Sequence, residues 1–263
     1  MPTVADETFT RIDYLARALK TPRIADMARR LADQAVRDEW TAPQYLAAVL
    51  ETEVNARDAS GTAIRVKAAG FPAPKTLAEF NFDHQPGADK TTLHRLAAGG
   101  YLTEAGNIVF LGPPGTGKTH LAVALGVEAC AQGVRVGFGT AAAWVARLAE
   151  AHQIGRLDQE LRRVNRYQLI IVDEVGYLPF DAEAANLFFQ LVSTRYEHSS
   201  IIVTSNLAFS QWGHVFGDQM IAAAMIDRIV HHADVITLKG ASYRLRHTQI
   251  TTLPSIQAEQ GAQ

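Results

Sequence analysis

The run Gly112-Pro113-Pro114-Gly115-Thr116-Gly117-Lys118-Thr119 constrains this chain more than any other stretch. It fits the pattern G-x-x-x-x-G-K-[ST], and it has the flanks that pattern requires. The apolar run 107–111 ahead of it reads as a buried strand, and residues 119–132 behind it read as a helix. Strand, glycine-rich turn and helix N-terminus together make an anion cradle, because backbone N–H groups and the positive end of the helix dipole face the same point. Residues 112–119, with His120, form the candidate phosphate site. Lys118 is placed to reach β- and γ-phosphates, and the Thr119 hydroxyl to ligate magnesium.

At 263 residues, with 48% hydrophobic and 20% charged, the composition suits one large or two modest soluble domains. No apolar run approaches the roughly 20 residues that span a bilayer. The polar, acidic start lacks the layout of a secretion signal, so the expectation is a cytoplasmic protein with no membrane partner. Cys130 is the only cysteine, which excludes an internal disulfide or a cysteine-built metal cage. A net charge of −2 gives no global basic signal, so nucleic-acid contact has to come from local patches.

The chain divides by pattern. Residues 1–68 are expected to form a helical domain, since Ile12, Leu15, Leu19, Met27, Leu31 and Val36 recur mainly at helical spacing. A further helix is expected from about Pro43 to Ala59. Residues 69–75, with two prolines and a glycine, read as a linker. From 76 to 254 strand-like and helical runs alternate, the pattern of a parallel five-stranded sheet covered by helices. The expected strands are 107–111, 134–139, 168–172, 200–204 and 235–238. The expected helices are 119–132, 141–153, 157–165, 182–197 and 219–231. The polar tail 255–263 is expected to fray.

Three further segments carry chemistry. The run Leu169-Ile170-Ile171-Val172-Asp173-Glu174 is a buried strand delivering two acids to its C-terminal end, where open α/β sheets bind ligands. Asp173 is placed to hold magnesium with Thr119, and Glu174 to polarise an attacking water, which points to hydrolysis. Ile201-Ile202-Val203-Thr204-Ser205-Asn206 is a second such strand, and Asn206 is suited to orienting that water. Arg228, on an otherwise apolar helix, admits two readings: an internal pair with Asp227, or an arginine that stabilises charge on a neighbouring subunit's phosphate. The adjacent pair His231-His232 points about 100° apart on a helix. No third ligand is in view, so a metal site is not expected there.

With these pieces in order, the chain resembles the IstB family of transposition helper ATPases, in the initiator and helicase-loader branch of the AAA+ class with DnaA and DnaC. The resemblance covers nearly the whole chain. It is carried by Ala69-Gly-Phe-Pro72, the phosphate loop, Asp173-Glu-Val-Gly-Tyr-Leu-Pro179, Arg195-Tyr-Glu197, Thr204-Ser-Asn-Leu207, Trp212-Gly-His-Val-Phe-Gly-Asp218, Asp227-Arg-Ile-Val-His-His232 and Lys239-Gly-Ala-Ser-Tyr-Arg244. It implies a P-loop AAA+ domain behind a small helical domain for assembly and partner docking. It also implies ATP and Mg2+ as cofactors, and Lys118, Glu174, Asn206 and Arg228 as catalytic residues, with Arg228 acting in trans. The implied function is a homo-oligomer, with ATP at its subunit interfaces, that binds and bends duplex DNA and activates a partner transposase of the IstA type. A replicative helicase loader and a slow nucleotide switch are the competing readings. An extra helix before the strand that ends in Asp173-Glu174, a feature of that branch, fits residues 141–166. Its Arg147, Arg156, Arg162, Arg163 and Arg166, and the milder group Arg57, Arg65 and Lys67, are the candidate DNA contacts. The usual helical lid is not expected after Arg228.

Overall fold

The computed structural model describes residues 4–240 and 242–243. The expected tail 255–263, and the stretch 244–254 before it, lie outside the described residues. The chain separates into two compact units that divide between Ile64 and Arg65.

The first unit is helical. It contains α1 (Val4–Ala18), α2 (Pro22–Arg37) and most of α3 (Ala42–Ala69). Pro22 opens α2, where its missing N–H costs nothing. The next residue, Arg23, donates its backbone N–H to the buried Glu53 carboxylate at 3.0 Å, and Arg57 donates to the same side chain at 2.7 Å. Helix α3 does not stop near Ala59 as expected but continues through Gly61 to Ala69. Its last turns have a reason to persist: Val66 and Ala69 join the second unit's core, and Arg65 donates to the Cys130 carbonyl at 2.6 Å. The expected linker is likewise packed, with the Phe71 ring edge-on to Phe138 at 6.1 Å.

The second unit is a three-layer α/β domain. Its elements are α4 (Lys90–Ala97), α5 (Gly100–Thr103), β1 (Asn107–Leu111), α6 (Lys118–Ala131), β2 (Val136–Thr140), α7 (Ala141–Gln153), α8 (Leu157–Val164), β3 (Leu169–Val175), α9 (Ala182–Arg195), β4 (Ser200–Ser205), α10 (Trp212–Phe216), α11 (Gln219–Val230) and β5 (Ala233–Thr237). The strands form one parallel sheet in the order β2-β3-β4-β1-β5. Alternation along each strand splits the core into two layers. Ile108, Phe110, Ile171 and Ile202 face α4 and α6, whereas Val109, Ile170, Val172, Ile201 and Val203 face α7, α9 and α11. Helices α4 and α5 were not anticipated. Asp89 caps α4 by accepting the N–H groups of Thr91 and Thr92 at 3.3 and 2.8 Å.

One ionic residue lies in the middle of this packing. Arg195 is fully buried and donates to the carbonyls of Val164, Tyr167 and Ser200 at 3.2, 3.0 and 3.0 Å. Burial pushes its pKa down to about 10. The guanidinium thereby ties the end of α9 to the turn before β3 and to the start of β4. Replacing it with alanine removes three buried hydrogen bonds and leaves a cavity. Arg195→Ala should therefore destabilise the second unit by about 3–5 kcal/mol, read from its urea unfolding transition.

Candidate active site

The sheet order decides where the chemistry can sit. Strand β4 lies between β1 and β3, so its C-terminal residues separate the loop that follows β1 from the acids that end β3. All three strand ends open on the same edge, because the sheet is parallel throughout.

The loop after β1 needs its glycines. Gly112 has φ +145°, and a Cβ there would meet the Leu238 carbonyl oxygen at 2.2 Å. Gly117, the residue before α6, has φ +97°, and a Cβ there would meet the Phe80 ring at 2.6 Å. Lys118 then begins the helix and folds its ammonium back over the loop, donating to the carbonyls of Gly112 and Pro113 at 2.7 and 2.8 Å. Thr116 is buried, and its hydroxyl donates to the Pro113 carbonyl at 2.8 Å.

The loop forms one wall of a cavity of about 340 Å³, within the size range of small-molecule sites. The opposite wall is a segment that sequence reasoning assigned no role. Phe80, His84 and Gln85 line it, together with Pro72 and Lys75 of the expected linker. Gln85 is buried and ties this wall to the loop by donating to the Thr116 carbonyl at 3.2 Å. His120 shares a hydrogen bond with the Thr76 carbonyl at 2.9 Å and meets the edge of Phe80, ring centroids 5.3 Å apart. The aromatic run around Phe80 and Phe82 was the available sequence signal.

Beside the loop, the Thr119 hydroxyl lies 2.9 and 3.1 Å from the two carboxylate oxygens of Asp173. The carboxylate is buried, and Thr204 donates to its Oδ1 at 2.5 Å. Hydroxyl and carboxylate oxygens converging at a helix N-terminus are the hard donors that magnesium takes, so the residues fit that ion. Glu174 is placed differently. The β3–β4 register slips between Val172 and Val175, and Glu174 sits in this irregularity with φ +61° and an exposed side chain. A left-handed glutamate costs about 1–3 kcal/mol. Its backbone N–H donates to Thr204 Oγ1 at 3.0 Å, so one hydroxyl holds both acids in their separate orientations. Thr204 is a site residue that sequence reasoning missed. Asn206 follows the end of β4, and its Oδ1 is buried and accepts no hydrogen bond among the described residues.

Arg228 is not brought to this edge. It lies in the last turn of α11, donates to the Ala224 carbonyl at 3.0 Å, and stacks over Phe189 at 4.8 Å. The next residue, Ile229, has its carbonyl held by Asn107, the first residue of β1, whereas the phosphate loop follows the last. Five residues of strand, about 3.3 Å each, separate the two ends. The proposed internal pair with Asp227 is not what holds the guanidinium here.

The candidate DNA contacts fall into two groups. Arg57 bonds to Glu53 and to the Lys20 carbonyl, Arg65 to the Cys130 carbonyl, and Arg147 to Glu160. Arg163 lies 3.8 Å from Glu160. Lys67, Arg156, Arg162 and Arg166 are exposed.

The chain is 41% identical over 235 residues to the ATP-binding protein of insertion sequence IS21 from Pseudomonas aeruginosa, covering 89% of both chains. Its fold is similar to the crystal structure of DnaI, with a TM-score of 0.55 over 63% of this chain and 91% of that one at 19% identity. It is also similar to the DnaC helicase loader, with a TM-score of 0.50 over 66% of this chain and 99% of that one at 20% identity. No described helix is long and apolar enough to cross a membrane. A family model described as IstB-like ATP binding protein matches residues 14–251. A phosphate loop after β1, a buried acid beside it and this match together place the chain in the IstB-like family of insertion-sequence ATP-binding proteins, on an AAA+ fold.

Proposed function

We propose that the protein is a magnesium-dependent ATPase that assembles on duplex DNA, bends it, and recruits and activates the transposase of its insertion sequence. The observation that carries this reading is the chain of contacts Thr119–Asp173–Thr204–Glu174. It buries one acid against the phosphate loop and holds its neighbour outward on a left-handed kink. Binding of nucleotide alone has no use for the second acid.

In this reading, the triphosphate lies along residues 112–119, with Lys118 at its β- and γ-phosphates. The base occupies the cavity beside Phe80 and His120. Thr119 and Asp173 hold Mg2+, which supplies charge neutralisation at the phosphate oxygens when bound. Glu174 accepts a proton from water as the water oxygen bonds to the γ-phosphorus. The bond to the bridging oxygen breaks, and ADP leaves with that electron pair. Asn206 orients the water through its otherwise unpartnered oxygen.

Arg228 lies beyond reach of its own loop, at the opposite end of the sheet, so it serves the site of a neighbouring subunit. ATP is then both substrate and assembly contact, in a cytoplasmic homo-oligomer. Residues 1–68 provide assembly and transposase docking, and residues 76–254 the ATPase. DNA is met by exposed cations, of which Lys67, Arg156 and Arg162 are the clearest, with Arg57, Arg65 and Arg147 reaching phosphates only by leaving their present partners. A measured preference for single strands over duplex would move the reading toward helicase loading.

Three variants test the site. Glu174→Gln should retain ATP binding and lengthen the life of DNA-bound oligomers while phosphate release falls by about 10²-fold or more. Rapid dissociation of that variant from DNA would contradict the assignment. Arg228→Ala and Lys118→Ala should each be inactive alone, yet mixing them should restore part of the turnover, because one intact interface can form between the two. Absence of rescue at every mixing ratio would place Arg228 outside a shared site.

A further inference from the structure

The turn after α9 and the end of α11 meet at the edge of the sheet away from the phosphate loop. There Glu197 joins His231 and His232, and the ligand-bearing atoms of all three lie within 4.8 Å of one another. The two rings stand 4.2 Å apart, centroid to centroid, tilted by 59°. Glu197 comes from 34 residues upstream of His231 in a different turn, so nothing in the sequence spacing announces it.

The backbone around this group is fixed. Glu197 takes a left-handed conformation with φ +60°, in a turn where His198 and Ser199 both donate to the Arg195 carbonyl at 3.0 Å. Arg195 is the fully buried guanidinium that locks α9 to β4. On the other side, the His232 carbonyl accepts the Asn107 N–H at 2.7 Å. The exposed side chains thus project from two anchored turns.

Tyr196 completes the arrangement. Its hydroxyl lies 2.9 Å from His231 Nδ1. In the tautomer suited to ligation, His231 Nδ1–H donates to the phenol oxygen. That choice leaves His231 Nε2 as the nitrogen with a free lone pair. Orientation of a ligating imidazole through its other nitrogen is how metal-binding histidines are commonly held.

We propose that Glu197, His231 and His232 form a zinc-binding site, with Tyr196 as its positioning residue. Two imidazoles and a carboxylate are borderline-soft and hard donors that zinc accepts together, and three protein ligands leave the fourth tetrahedral position to water. Bonds of about 2.0–2.1 Å require donors about 3.4 Å apart, so the exposed side chains close inward by rotation when the ion binds. The ion ties the turn after α9 to the end of α11. If Arg228 acts on a neighbouring subunit as proposed, zinc also stiffens the helix turn that carries it; the binding itself does not rest on that reading.

Calorimetric titration of the tag-free protein with Zn2+ in magnesium-containing buffer should show one saturable site per chain. Co2+ in its place should give the intense visible bands of a four-coordinate ion. His232→Ala and Glu197→Gln should each weaken zinc binding at least tenfold, and Tyr196→Phe, which keeps the ring and loses the hydroxyl, by about 10–100-fold. His214→Ala, which changes an exposed histidine on α10, should leave the affinity unchanged. The site is ruled out if binding is not saturable, if His232→Ala with Glu197→Gln in one chain binds as well as the unaltered protein, or if His214→Ala is the variant that loses the ion. A cobalt spectrum of the unaltered protein without four-coordinate bands overturns it with no reliance on any variant.

Discussion

Burying the Asp173 carboxylate at the end of β3 costs free energy unless its oxygens are hydrogen-bonded. Thr119 and Thr204 meet that requirement, one from the first turn of α6 and one from β4. The pairing works only if three elements are in register: β3 must deliver the acid, β4 must stand between it and β1, and the loop must turn sharply enough to start α6 alongside. The point where each apolar run gives way to polar residues marks the register, and a slip of one residue would exchange Asp173 for Val172 or Glu174. The glycines of the loop supply the turn. The polar centre of the domain is therefore specified by the same packing that builds its two apolar layers.

The consequence for chemistry follows from the sheet being parallel. Every strand delivers its C-terminal residues to one edge, which gathers Lys118, Thr119, Asp173, Glu174, Thr204 and Asn206. The helix ends that return to the strands' N-terminal ends gather at the other edge. Arg228 belongs there, as do Glu197, His231 and His232. One edge reads as a site lacking a cation contributed from outside, and the other as a surface offering one. On the proposed reading, stacking copies brings the two edges together and completes the active site.

Much of this was legible in the sequence, and the failures have physical causes. Strand β1 and helix α7 took their expected bounds because abrupt composition changes delimit them: an apolar run between glycines, and an alanine-rich run after a threonine cap. Helix α3 outran its expected end because Gly61 costs only about 1 kcal/mol in a helix, while Val66 and Ala69 gain burial beyond it. The wall formed by Phe80, His84 and Gln85 was unread because its segment has neither helical nor strand periodicity; its residues are defined by what they touch across the cavity. Thr204 was passed over as one more strand residue, although its hydroxyl sets both acids. Arg195 entered only as part of a resembling segment, since local pattern cannot reveal the buried carbonyls it bonds. The partnership of Glu197 with His231 and His232 is a tertiary event and has no local signature at all.

The central claim is that the hydrolytic site is finished by a second copy of the chain. ATP turnover per chain, measured against protein concentration with and without duplex DNA, tests it most directly. Turnover should rise steeply with concentration, level off once assembly is complete, and reach that plateau at lower concentration when DNA is present. A turnover per chain that stays constant down to concentrations at which the protein is monomeric would contradict the account.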